Sequence, residues 1–252
     1  MTPRKIALLI LALALLVQRG AIAGEIDILA PTKNGPVAVK MFAASGDEPR
    51  PAVLVLHGRS GIAPFSSAYA RYATALAAAG IDAWLFSYYT ADDAAVMTGT
   101  GEVRRASLYT ARFNAWVATI DDIAHFARTQ KGNSGRAGLL GFSQGGFLAV
   151  GAAAKDARIG ALVVLYGALP EPMRDEITRL PPLLALHGDA DLNVPIAEGR
   201  ELVERARALG GQAELIAYAG AGHGFDFDEG NRAAIDARAR AVSFLRHHLI
   251  EQ

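Results

Sequence analysis

The sequence of 252 residues contains no cysteine. Disulfides, thiolate nucleophiles and cysteine metal ligands are therefore excluded, and so is lipidation of an N-terminal cysteine. It also lacks a charge bias, with 25 basic and 25 acidic side chains. There is no basic block and no run of interleaved aromatic and basic residues, which argues against nucleic acid as a partner. No internal repeat or low-complexity linker is found. No apolar run reaches the ~20 residues a bilayer span requires.

What is present begins with a leader-like segment. "MTPRK" is short and basic, Ile6 to Val17 is uninterruptedly apolar, and Ala21-Ile22-Ala23 fits the small-x-small pattern of a signal-peptidase site. Residues 1–23 are read as a secretory signal cleaved after Ala23, and the expected location is exported, periplasmic or secreted. Cleavage removes Arg4, Lys5 and Arg19 and no acid, leaving 22 basic against 25 acidic side chains, a net charge of −3. With no disulfides, such an exported chain depends on its core alone.

Past the leader, "EIDILA" and "PVAVKMFAA" flank the Asn34-Gly35 turn signal and predict a hairpin. From there, strand-like runs of Val, Leu, Ile and Ala alternate with segments of helical period. The runs are "PAVLVLHG", "IDAWLFSYY", "RAGLLGF", "IGALVVLYG", "PPLLALHGD" and "AELIAYAG". Continuous apolar strands are buried on both faces, and their alternation with helices predicts a mostly parallel sheet covered on both sides. The opening hairpin would add antiparallel edge strands. No composition break divides residues 24–252, so one α/β domain is expected. Ala91 to Ala111 has no clear period; it is a candidate lid or pocket-rim loop, or a plain surface connection.

The most informative stretch is "GLLGFSQGGFLAV", Gly138 to Val150. Gly141-Phe142-Ser143-Gln144-Gly145 is G-x-S-x-G between a strand run and a helix run, the context of a nucleophile elbow. The tight turn needs small residues at 141 and 145, and the helix N-terminus behind Ser143 favours developing negative charge. A serine hydroxyl needs a base, and this architecture places the acid and then the histidine downstream. His187 falls inside a strand, while His247 and His248 fall on the terminal helix. His223, in the loop "YAGAGHGFDF" between Gly222 and Gly224, is the candidate base. Asp189 and Asp191 in "LHGDADLNVP" are the candidate acids; Asp189 can organise the turn, and Asp191 is favoured because it lies further into the loop. Asp226 and Asp228 follow His223 too closely for the expected order.

Oxyanion stabilisation needs two backbone amides. The candidates are Gln144, which follows the nucleophile, and Arg59 in "VLHGRSG". Tyr88 and Tyr89 end a strand where the loops gather; they are candidates either for the substrate pocket or for rim packing. The side chains of Arg59, Arg104 and Arg105 could bind a substrate carboxylate, but loop arginines are more often solvated, and they are not counted among the site residues.

Together "VLHGRSG", "GFSQGG", "YGALP", "PPLLALHGDADLNVP" and "YAGAGHGF" resemble the dienelactone hydrolase family of the α/β-hydrolase fold. The resemblance runs through most of residues 24–252. It implies a small esterase or lactonase with a covalent acyl-enzyme, no metal or other cofactor and a small ester or lactone as partner. It places the nucleophile on Ser143, the acid on Asp191 and the base on His223. The dienelactone hydrolases proper carry cysteine in a G-x-C-x-G elbow; serine here favours general carboxylic esters. A peptidase or acyltransferase on the same scaffold, and a non-catalytic binding protein, are the alternatives.

Overall fold

Strand runs buried on both faces should alternate between two cores, and the computed structural model, which describes residues 24–252, shows how. The predicted leader, residues 1–23, lies outside the described residues. In β3 (Arg50–Leu56) Ala52, Leu54 and Leu56 enter one core, while Val53 and Val55 enter the other. β6 (Ile159–Leu165) divides in the same way, with Leu162 and Val164 against Val163 and Leu165. Such strands present no polar face to solvent, which is why they read as unbroken apolar runs.

Eight strands form one sheet in the order β1-β2-β4-β3-β5-β6-β7-β8. β1 (Gly24–Ala30) and β2 (Val37–Ala43) form the expected hairpin, and β2 pairs antiparallel with β4 (Asp82–Phe86). The rest of the sheet is parallel, through β5 (Asn133–Phe142), β7 (Leu183–Gly188) and β8 (Ala213–Tyr218). One face is covered by α1 (Ser66–Ala78) and α6 (Arg232–Arg246), which contribute Tyr69, Tyr72, Leu76, Ala241 and Leu245 to their core. The other is covered by α3 (Glu102–Thr129), α4 (Gln144–Lys155) and α5 (Ile196–Ala208), which contribute Phe113, Trp116, Leu148 and Leu202. This is the mostly parallel sheet covered on both faces that the alternation predicts, and the α/β-hydrolase arrangement that the resemblance implies. No helix among the described residues is long and apolar enough to cross a membrane.

The segment 91–111 corrects the expectation of a loop. It holds α2 (Ala91–Met97) and the first turns of α3. Thr90 and Asp93 form a capping box that starts α2. The Asp93 carboxylate also accepts bonds from Arg112 Nε (3.0 Å) and Trp116 Nε1 (2.8 Å), which tie α2 to α3. The helical period is weak because the first turns of α3 are largely exposed or line a cavity, and only Leu108 and Tyr109 of them pack on the core. Glu102, Arg105, Ala106 and Tyr109 line that cavity and need not be apolar.

Candidate active site

Ser143 sits between the end of β5 and the start of α4 with φ 52° and ψ −121°, one of two non-glycine residues with positive φ among those described. Such a conformation costs on the order of 1–3 kcal/mol and persists only where neighbours enforce it. They do so here. A Cβ on Gly141 would collide with the Gly145 carbonyl, and one on Gly145 would collide with the carbonyls of Leu56 and His57. Glycine at both positions lets α4 start directly against the strand ends. The Ser143 amide donates to Leu165 O (2.9 Å), pinning the turn to β6.

The loops after β7 and β8 bring two more side chains to this point. His223 Nε2 lies 2.9 Å from Ser143 Oγ, and its Nδ1 lies 2.7 Å from Asp191 Oδ2. That pairing sets the tautomer: Nδ1–H donates to the carboxylate, and Nε2 is free to accept the serine proton. The Asp191 side chain is wholly buried. Its other oxygen accepts from the amides of Asn193 (2.8 Å) and Val194 (2.9 Å), so the buried charge is bonded on both oxygens. Asp189 is placed differently. Its Oδ1 accepts from Gly220 N (2.7 Å) and joins the β7 and β8 loops as a turn organiser.

His187, read as a packed strand histidine, is buried with Nε2 2.8 Å from Val194 O. It clamps the loop that carries Asp191, and burial lowers its pKa.

Arg59 and Gln144, whose amides are the expected oxyanion donors, line the same cavity as Ser143. Neither amide is bonded to another acceptor among the described residues. The loop carrying Arg59 is held by three tyrosines. Tyr69 Oη accepts from Gly58 N (2.9 Å), Tyr88 Oη donates to His57 O (2.7 Å), and Tyr89 Oη donates to Arg59 O (3.1 Å). Gln144 Nε2 donates in turn to Tyr89 Oη (2.7 Å). Tyr88 and Tyr89 therefore do not line the cavity; they stand behind it and brace the backbone of residues 57–59 and the Gln144 side chain. Tyr88 also stacks on His57, with ring centroids 4.0 Å apart. Burial pushes the His57 pKa down to about 4, so this imidazole is neutral at pH 7 and is used as packing.

These groups open onto a cavity of about 860 Å³. Its lining includes Phe65, Tyr69, Tyr109, Phe147 and Phe227. Arg59, Glu102 and Arg105 form an ion-paired cluster at the wall. Among the described residues, no cluster of three or more His, Asp or Glu side chains is placed to hold a metal ion.

The sequence profile of the dienelactone hydrolase family matches residues 39–249. The chain belongs to this family. Among curated relatives, a Methylorubrum extorquens protein named "Putative carboxymethylenebutenolidase" is 28% identical over 220 residues, covering 83% of this chain and 74% of that protein. Esterase LipC of Mycobacterium tuberculosis is 38% identical over 86 residues, but the match spans only 31% of this chain and 21% of the esterase. Several further relatives are matched over less than half their length. A solved dienelactone hydrolase from Anabaena variabilis superposes with a TM-score of 0.69 at 21% identity, covering 90% of this chain and 98% of that one, which shows a shared fold.

Within this dienelactone hydrolase scaffold, two residues near the site carry no sequence signal of their role. Tyr166 directly follows β6 with φ 40°, and its ring lies 4.6 Å from that of His223. Its hydroxyl donates to Asp226 Oδ1 (2.7 Å). Asp226 is buried beside the site, and burial pushes its pKa up to about 6. "YGALP" drew attention to the segment, but only the fold brings Tyr166 under the imidazole.

Proposed function

We propose that this protein hydrolyses carboxylic esters or lactones of small substrates through an acyl-enzyme on Ser143. The observation that carries the reading is the continuous line from Ser143 Oγ to His223 Nε2 (2.9 Å) and from His223 Nδ1 to Asp191 Oδ2 (2.7 Å). It stands on a serine held at positive φ, and the Gln144 and Arg59 amides bond no other acceptor among the described residues.

Ser143 Oγ bonds to the ester carbonyl carbon as His223 Nε2 takes the hydroxyl proton. The carbonyl oxygen gains the electron pair and is held by the Gln144 and Arg59 amides. Asp191 keeps the imidazole in orientation and stabilises the imidazolium. As the oxyanion collapses, the bond to the leaving oxygen breaks, and His223 returns the proton to that oxygen. Water then attacks the acyl-serine, gives a proton to His223 and releases the acid, restoring Ser143.

The leader-like segment before Gly24 supports an exported setting for this activity. Cell fractionation should recover the protein outside the cytoplasm with its N-terminus at Gly24, and recovery in the cytoplasm with an intact Met1 would overturn that setting.

The experiment compares hydrolysis of p-nitrophenyl acetate and butyrate by the chain from Gly24 with that by Ser143→Ala. The variant should lose at least about a thousandfold in turnover, the scale of a lost nucleophile. Equal rates in the two proteins would overturn the esterase reading and favour a binding protein. Preferential transfer of the acyl group to added alcohol, or turnover of peptides over esters, would favour an acyltransferase or peptidase.

A further inference from the structure

The aromatic residues around Ser143 fall into two clusters. In the first, Phe65 and Phe227 stack with centroids 4.2 Å apart and planes 18° from parallel. Phe227 meets Tyr69 (6.0 Å) and Tyr166 (6.3 Å), and Tyr166 packs on His223 (4.6 Å). In the second, Tyr109 meets Phe147 (6.4 Å) and Trp116 (6.4 Å), and Trp116 meets Tyr89 (4.9 Å), whose hydroxyl holds Gln144. No ring pair among the described residues joins the two clusters. Both open onto the one cavity whose wall carries Ser143.

The reaction gives the two sides different tasks. His223 Nε2 must deliver its proton to the leaving oxygen, so the alcohol portion of an ester lies on the histidine side of Ser143. The acyl remainder then lies away from the imidazole, where the second cluster supplies Tyr109 and Phe147 to the cavity lining. On the histidine side the wall is built by Leu192, Asn193 and Val194 of the acid loop and by the Phe65–Phe227 pair, which supplies its paired aromatic surface. Both rings are half-buried and keep surface toward the cavity. The backbone behind Phe227 is fixed, since Arg71 donates to Phe227 O (2.9 Å) and pairs with Glu229 (2.6 Å). Fixed aromatic rings favour a further planar ring in offset or edge-to-face contact over a puckered alkyl ring of similar size.

We propose that Phe65 and Phe227 form the leaving-group subsite, and that the preferred esters carry an aromatic ring on the alcohol side. This rests on the esterase reading above and adds the side and the chemistry of recognition.

The test uses benzyl acetate and cyclohexylmethyl acetate, which share an acyl group and have alcohols of similar basicity. The wild type should prefer benzyl acetate in kcat/KM by about fivefold, the scale of one aromatic pair. Phe227→Leu and Phe65→Leu, each first checked for an intact melting transition, should bring that ratio close to one, mainly through KM. Phe147→Leu, in the second cluster, should preserve the ratio. A ratio near one in the wild type, its retention in every Phe65 or Phe227 variant that folds, or its loss in Phe147→Leu overturns the subsite. Absence of Ser143-dependent turnover of both esters instead overturns the esterase reading itself.

Discussion

The two walls that meet at Ser143 are braced around different parts. Beside the proposed oxyanion donors, the hydroxyls of Tyr69, Tyr88 and Tyr89 each bond a main-chain atom of residues 57–59. On the histidine side the ring itself is held by a side chain, Asp191 to His223, and Tyr166, which packs on that ring, is held by Asp226; main-chain bonds there, such as those of Asp191 to the Asn193 and Val194 amides, hold the loop that carries the acid. The tasks explain the difference. An oxyanion donor is a backbone amide, so what must be fixed is a loop. A general base is a mobile imidazole, so what must be fixed is a ring and its tautomer. Loss of a brace on the first side should weaken transition-state binding, and loss on the second should disturb proton transfer or leave a buried polar group alone.

The largest effect that separates the walls is expected at the acid. Asp191→Asn keeps the shape of the site but reverses the bond to His223 Nδ1, and kcat should fall by about 10⁴. Asp189→Asn keeps an acceptor for Gly220 N and should change kcat by no more than about threefold. A large loss at Asp189 and a small one at Asp191 would reverse their roles.

Next in size is Gly145→Ala. Its Cβ would meet the carbonyls of Leu56 and His57, which rise from the oxyanion-side strand. Overpacking against backbone should cost about 1–3 kcal/mol or more, seen as a lower urea midpoint together with lost turnover. Gly222→Ala, beside His223, has no neighbour within 4 Å of its added Cβ and should be close to neutral.

Smaller effects should come from the tyrosines. Tyr89→Phe frees the Arg59 carbonyl and the Gln144 amide group, and kcat should fall about tenfold with KM little changed. Tyr166→Phe removes the bond to Asp226, whose other oxygen already lacks a partner among the described residues. The cost of a stranded buried acceptor, about 1–3 kcal/mol, should appear chiefly in stability. The opposite split between the two variants would break the comparison.

The smallest effects concern pH. His57 is held neutral by burial down to about 4, whereas an unfolded histidine protonates near 6.5. Its contribution to stability is present above pH 6.5 and is lost as pH falls toward 4. Asp226 behaves oppositely. Burial keeps its proton up to about 6 against 3.8 unfolded, so its contribution is present below pH 3.8 and lost as pH rises through 6. The two slopes oppose one another between those limits. Urea midpoints of Asp226→Asn should therefore fall more steeply on acidification than those of the wild type, and those of His57→Gln less steeply. Parallel profiles for all three proteins would remove both groups from the pH dependence.

Much of this was legible before any coordinates. Strand runs such as "PAVLVLHG" and "IGALVVLYG" announce a sheet covered on both faces, because strands with two buried faces have no polar positions to interrupt them. The elbow was legible because its glycines answer a local steric demand. Segment 91–111 was not, since helix turns that are largely exposed or line a cavity are released from the apolar period by which helices are recognised. Nor were the braces: a tyrosine that ends a strand reads alike whether its hydroxyl meets substrate or the carbonyl of a residue 30 positions away, as Tyr89 and Arg59 do.

What the sequence by itself determined is whatever depends on neighbours along the chain: the strand runs, the hairpin turn and the small residues on either side of Ser143. Those demands are steric and periodic, and they act within a few residues. What only the tertiary structure decided is which groups face one another across the strand ends. His223 and Ser143 lie 80 positions apart in the chain. Asp189 and Asp191 share a loop, yet one bonds a turn amide and the other the imidazole. Their separation is set by the packing of β7 and β8 side by side, a long-range arrangement that no local pattern encodes.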